Sequence, residues 1–255
     1  MPSHLFITDC HANPEHNNDR ADWLGKLIFD LRPDVVVNGG DTADMSSLCS
    51  YDRGKRSFQG RTYSADISSH NDFQSRLWSP YRRAKKKLPR RITLIGNHEQ
   101  RIDRAIDLQP ELDGVVSYKD LDLERYYDTI VPYSGSTPGG IIVDGIYYAH
   151  YLVSGISGRP IGGENSAASI LSKRYTSCCV GHSHLVDWSV KTRADGKKIM
   201  GLVGGCMIDY SMSYAGDSAR LWWQGVTLLQ NVEDGQYDPK FISLKSIKKE
   251  YSKKK

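Results

Sequence analysis

Five short clusters of carboxylate, amide and imidazole side chains are spread along this 255-residue chain: Asp9-Cys10-His11, Asp41-Thr42-Ala43-Asp44, Asn97-His98-Glu99, His150, and His182-Ser183-His184. Singly they say little. Asp-x-His is one carboxylate and one imidazole, Gly40-Asp41-x-x-Asp44 equally suits a helix cap, and a lone His150 suits a hydrogen-bonded core histidine. Gly96-Asn97-His98-Glu99 is more specific, because Asn and His after a core strand need partners. Gly181-His182-Ser183-His184 is the most specific, because two histidines two apart can straddle two metals. Together the clusters offer enough oxygen and nitrogen donors to hold two divalent cations side by side, which is the apparatus of metal-assisted phosphate-ester hydrolysis.

Such donors must be brought together by regular elements. The apolar run 4–8 ends at Asp9, and the buried-type run 34–38 leads into Gly39-Gly40-Asp41. A third strand, 91–95, delivers Gly96-Asn97-His98-Glu99. Between the first two, Leu24, Leu27, Ile28 and Leu31 recur at helical spacing, and Pro33 ends the helix. In parallel α/β sheets ligands collect beyond the carboxyl ends of strands, so these three loops are expected to converge. The second half reads as β-hairpins. Residues 140–150 fold about Asp144-Gly145 and end on His150, and residues 175–180 lead into Gly181. Residues 185–191 and 198–203 flank Ala194-Asp195-Gly196; a helix is expected at 164–173 and late strands at 222–230 and 241–244.

In this order the clusters resemble the calcineurin-like metallophosphoesterase family, from residue 5 to about residue 205. The resemblance implies an α/β fold, an αββα sandwich of two mixed sheets flanked by helices, with the metal site at the carboxyl ends of strands. It implies that Asp41 bridges two metals, that Asp9, His11 and His184 complete one site, and that Asn97, His150 and His182 complete the other. It further implies hydrolysis of a phosphate-ester substrate, a phosphodiester or phosphomonoester, by a metal-bridging hydroxide, with His98 as general acid and Asp44 as its carboxylate partner; a nucleotide or nucleic acid is the expected substrate class. Mixed nitrogen and oxygen donors favour Mn²⁺, with Fe, Zn²⁺ or Ni²⁺ as alternatives, over Ca²⁺ or a Mg²⁺-only site. Purple acid phosphatases carry Tyr where Asp44 stands, and Met45-Ser46 replace the Arg-Gly of Ser/Thr protein phosphatases, so neither branch fits. An inactive, protein-binding scaffold of the same fold is the alternative. Such scaffolds lose ligands or the His98 position, and every one is filled here.

Bulk properties set the rest. A hydrophobic content of 39% with 25% charged residues describes an ordinary soluble domain, and no apolar run reaches the roughly 20 residues of a membrane helix. The amino terminus lacks a secretory pattern and the five cysteines are an odd count, so a reducing, cytoplasmic home is expected. The net charge of +4 is unevenly placed: residues 53–91 carry +10 and residues 245–255 carry +5. One domain is expected over 1–244, with a basic, partly helical insert at about 45–90 and a solvated lysine-rich tail at 245–255. Within the insert, a helix over 81–88 would present Arg82, Arg83, Lys85, Lys86 and Lys87. With Trp78 and Tyr81 as stacking groups, this segment is a candidate nucleic-acid contact, against the plainer reading of a solvated helix face.

Overall fold

A computed structural model describes residues 1–212 and 215–252. In chain order the elements are β1 (His4–Ile7), α1 (Asp19–Leu31), β2 (Val35–Asn38), α2 (Tyr63–Leu77), α3 (Ser79–Ala84), β3 (Arg90–Leu94), α4 (Arg101–Leu108), α5 (Leu123–Tyr126) and β4 (Thr129–Val131). There follow β5 (Tyr133–Ser134), β6 (Thr137–Pro138), β7 (Gly140–Val143), β8 (Ile146–Ala149), β9 (Val153–Ser154), β10 (Arg159–Pro160), α6 (Ser166–Arg174) and β11 (Cys178–Val180). The chain closes with β12 (Val186–Thr192), β13 (Lys198–Gly204), β14 (Gly225–Glu233), β15 (Gln236–Ser243) and α7 (Leu244–Tyr251).

Two mixed sheets stack face to face. One has the order β15-β14-β1-β2-β3-β4 and the other β12-β13-β11-β8-β7; β5–β6 and β9–β10 form separate ribbons. Strands β1 to β4 are mutually parallel, as are β8, β11 and β13. Alternation along the strands explains the layering. Phe6, Val35, Val37, Ile92 and Leu94 point inward to meet Val143, Ile146, Tyr148, Cys179 and Leu202 of the second sheet. Leu5, Ile7 and Val36 point outward onto Leu24, Leu27 and Ile28 of α1, a face whose burial contributes about 1.5–3 kcal/mol per large side chain. On the far side α6 packs Ala167 and Ile170 against Cys178, Val180 and Val203. This is the expected αββα sandwich, with both sheets' parallel strands ending on the same side.

Four expectations need correction. The expected solvated tail is helical as far as Tyr251. Leu244 and Ile247 are buried among α1 residues, the Lys248 ammonium lies 5.0 Å above the Trp23 ring, and the Tyr251 hydroxyl donates to Asp30 at 2.9 Å. Residues 253–255 lie outside the described residues. The strand expected at 241–244 is the end of β15, which pairs with β14 around the turn Asp234-Gly235; Leu244 already belongs to α7. The helix expected over 81–88 stops at Ala84. Lys85 turns left-handed (φ 51°), its N–H reaches back to the carbonyls of Tyr81 and Arg82, and Pro89 forbids continuation into β3. Trp78 and Tyr81, read as stacking groups, are buried in the core beside α1 and are not offered to any partner. Lys85, Lys86 and Lys87 are exposed, but at the amino end of β3, roughly 17 Å of strand away from the loop carrying Asn97.

One buried group sets a measurable pH dependence. His70 of α2 is 0% exposed, and burial pushes its imidazole from the ordinary 6.5 down to about 4, against a small opposing pull from the backbone of Leu121. A histidine depressed in the fold binds its proton more readily when unfolded. Its stabilisation is therefore complete above pH 6.5 and is lost as pH falls toward 4. Between pH 7 and pH 5 this amounts to about 2 kcal/mol. Denaturant unfolding at the two pH values should show a smaller difference for His70→Leu than for the wild type. An equal difference would mean that His70 does not titrate on unfolding.

Candidate metal centre

The loops after β1, β2, β3, β8 and β11 meet at one end of the sandwich, and each contributes donors. Three groups of ligand atoms lie within 4.8 Å of one another: Asp9, His11 and His184; His11, Asp41 and His98; and Asp41, His150 and His182. Asp41 is common to the second and third and His11 to the first and second, so the groups form one continuous cluster. Asn97 joins it through Oδ1, 2.9 Å from His150 Nε2.

Each carboxylate is held by one oxygen and aims the other inward. Asp9 Oδ2 accepts from the His182 amide at 2.9 Å, and Asp41 Oδ1 accepts from the His98 amide at 2.8 Å. The inward Asp41 Oδ2 lies 3.3 Å from His150 Nε2 and 3.9 Å from both His11 Nε2 and His98 Nε2. Asp9 Oδ1 lies 3.4 Å from His184 Nε2. The histidines are oriented in the same manner. His150 Nδ1 donates to the Gly39 carbonyl at 2.8 Å and His11 Nδ1 lies 3.1 Å from Asp44 Oδ1, which leaves each Nε2 facing the cluster. The glycines of the motifs make room for this. A Cβ on Gly96 would sit 2.1 Å from Asp41 Oδ1, and one on Gly181 would sit 2.5 Å from Asp9 Oδ2.

Five of the seven expected metal donors have a left-handed backbone: Asp9 (φ 51°), His11 (45°), Asp41 (53°), His182 (70°) and His184 (61°). Each such non-glycine residue costs roughly 1–3 kcal/mol, and strain of this kind gathers where function requires it. Among the buried side-chain atoms that make no hydrogen bond are Asp9 Oδ1 and His11 Nε2, both inside the first group. Buried polar atoms without partners are rare in folded proteins, and a cation accepts both of these lone pairs.

Electrostatics suits the same occupant. Burial alone would raise Asp9 and Asp41, but the neighbouring imidazoles (His184 and His150 for Asp9, His150 and His98 for Asp41) outweigh it and keep both ionised. Burial, helped by the positive charge of other histidines, pushes His11 and His182 down to about 4, so both keep their lone pairs at neutral pH. Burial would also lower His150, but Asp41 outweighs it and raises it to about 9. Ionised carboxylates and neutral imidazoles are the forms that bind divalent metals, so Asp9, Asp41, His11 and His182 stand ready, whereas His150 must release its proton as an ion binds. The residues therefore fit two such ions.

Asp44 is tied to more than His98. Its Oδ1 lies 3.1 Å from both His98 Nδ1 and His11 Nδ1, its Oδ2 accepts from Asn13 at 2.7 Å, and its backbone carbonyl lies still closer to His98 Nδ1, at 2.7 Å. Sequence reasoning missed three supporting residues. The Glu99 carboxylate accepts from the amides of Asp41, Ala43 and Gly96 at 2.8–3.0 Å and so laces the second loop to the third. Arg20 is fully buried in α1 and donates to the carbonyls of Cys10 and His11 at 2.8 and 3.0 Å, fixing the first loop. Its position four residues before Leu24, on the apolar face of the helix, was the available signal. Arg101 contacts His98 and Asp44 from the start of α4.

Comparison with known proteins agrees with this geometry. The calcineurin-like phosphoesterase profile matches residues 4–201. A fold and site of this kind define a metal-dependent phosphoesterase with a dinuclear divalent metal site. The chain belongs to the calcineurin-like phosphoesterase family. Among solved structures it is similar to YfcE, a phosphoesterase from E. coli, at 12% identity and a TM-score of 0.39, over 95% of this chain and 99% of that one. A second structure is similar at 10% identity and a TM-score of 0.40, over 96% of this chain and 100% of the other. No curated protein matches the chain.

Proposed function

We propose that the protein hydrolyses a phosphodiester or phosphomonoester of a nucleotide, with Asp9, His11, Asp41 and His184 holding one metal, Asp41, Asn97, His150 and His182 the other, and Mn²⁺ the preferred ion. The observation that carries this reading is the continuous cluster in which Asp41 Oδ2 faces three imidazole nitrogens within 3.9 Å. When bound, two divalent cations supply a hydroxide nucleophile near neutral pH and offset the charge of the phosphoryl transition state. His98 stands beside the donors with Nδ1 on Asp44, and it gives a proton to the leaving oxygen as the P–O bond breaks. Asp44, ionised because its bonds to His11 and His98 outweigh burial, orients that ring.

Aromatic rings at the site favour a nucleotide as substrate class. Trp222 stands edge-on to His184 at 4.3 Å and Tyr151 lies 4.8 Å from the His182 ring. Such rings offer faces to a base. Nucleic acid is a weaker reading of the same chemistry, since Trp78 and Tyr81 are buried and the lysine run lies at the opposite end of the sheet. A reducing, cytoplasmic location suits five buried free cysteines; among the described residues no helix is long and apolar enough to cross a membrane.

The test is a substrate panel with and without added Mn²⁺: bis-p-nitrophenyl phosphate, p-nitrophenyl phosphate, cyclic nucleotides, dinucleotides, DNA and RNA. Metal-dependent turnover of the nucleotide esters is expected. Turnover of none of these esters by metal-loaded protein would favour the inactive scaffold.

A further inference from the structure

Arg101 is the first residue of α4, three positions beyond His98, and its guanidinium lies against the proposed acid. Nη1 donates to the Asp44 carbonyl at 2.8 Å and to the Met45 carbonyl at 3.2 Å; Nη2 lies 3.2 Å from His98 Nε2. Met45 is buried and left-handed (φ 48°), part of the turn that presents these two carbonyls. The Asp44 carbonyl is thus shared, with His98 Nδ1 at 2.7 Å on one side and Arg101 on the other. His98, Arg101 and Asp44 also line one cavity of about 300 Å³, together with Asn13, Arg61 and Tyr210.

An arginine can only donate, so the imidazole nitrogen facing it must carry the lone pair. The remaining ring proton then sits on Nδ1, against Asp44. We propose that Arg101 is a positioning residue for the hydrolysis. Its guanidinium holds the Asp44–Met45 turn by two carbonyls and sets that turn against the His98 ring through Nη2. The inference rests on the reading of His98 as the acid. Lysine, a single ammonium on a flexible stem, cannot span the two carbonyls and the imidazole together.

Arg101→Ala, Arg101→Lys, His98→Ala and the double variant His98→Ala/Arg101→Ala should be compared on two diesters: a dinucleotide, whose leaving group is an alkoxide, and bis-p-nitrophenyl phosphate. Groups that orient a functional residue are worth about 10–100-fold. Arg101→Ala is expected to lose about that much kcat on the dinucleotide, with KM changed less than about threefold and a much smaller loss on the aryl ester. Arg101→Lys should not recover the loss, added guanidinium should recover part of it in Arg101→Ala, and metal content should stay at the wild-type value. In the His98→Ala background, removing Arg101 should cost little more, because the two act as a unit. Equal losses on both esters, a loss that adds in full to that of His98→Ala, or a rise in KM alone would overturn the positioning role. A His98→Ala enzyme that loses equally on both esters would instead remove the acid reading, and the role of Arg101 with it.

Discussion

Asp41→Asn is expected to fold normally, retain at most about one of two metals and lose at least about 10²-fold in activity. Asparagine suits the left-handed backbone at this position (φ 53°), and its amide oxygen can still accept from the His98 amide. The variant loses the negative charge and the second acceptor. Asp41 Oδ2 is the atom facing three imidazole nitrogens, and an amide NH₂ there would point donors where cations should bind. Two cations roughly 3.5–4 Å apart repel strongly unless anionic ligands lie between them, so the doubly occupied state should suffer most. Metal analysis and turnover of one nucleotide ester check this together. An active Asp41→Asn protein holding two metals tightly would remove Asp41 from the bridging position.

His98→Ala should separate substrates by leaving group. General acid catalysis contributes about 10²–10⁴-fold, and all of that is at stake where an alkoxide departs. A p-nitrophenolate leaves with little help, so its hydrolysis should fall far less. His98 is one corner of the His11–Asp41–His98 group, but its Nδ1 is taken by Asp44 and the resemblance assigns it to neither metal, so metal content should hold near the wild-type value. Equal losses on alkyl and aryl esters, or a loss of metal, would show that His98 supports the metal site and does not donate the proton.

Much of this site was legible in the sequence because the donors follow strands. Short, continuous apolar runs end at or near Ile7, Asn38 and Leu94, and a parallel sheet places whatever follows them on one edge. The hairpin around Asp144-Gly145 was equally readable, since both residues adopt the positive φ that an Asp-Gly turn signals. What escaped depends on tertiary contacts. The lysines of α7 suggested a solvated tail because Leu244, Ile247 and Tyr251 gain their burial or partners only from distant parts of the chain, α1 above all. Trp78 and Tyr81 looked available for stacking because a short basic helix does not reveal which face the core takes. Glu99 stood inside a recognised motif, yet its three amide partners come from two loops more than fifty residues apart. Arg101 has one partner three residues away and two more than fifty residues away, and spacing alone reveals neither.

The central claim is that this cluster holds two cations sharing Asp41. Titration of metal-free wild-type protein with Mn²⁺, followed by electron paramagnetic resonance, tests it most directly. Two ions should bind per chain and show the magnetic coupling expected of ions about 3.5–4 Å apart. A single bound ion, none, or two uncoupled ions would contradict the account.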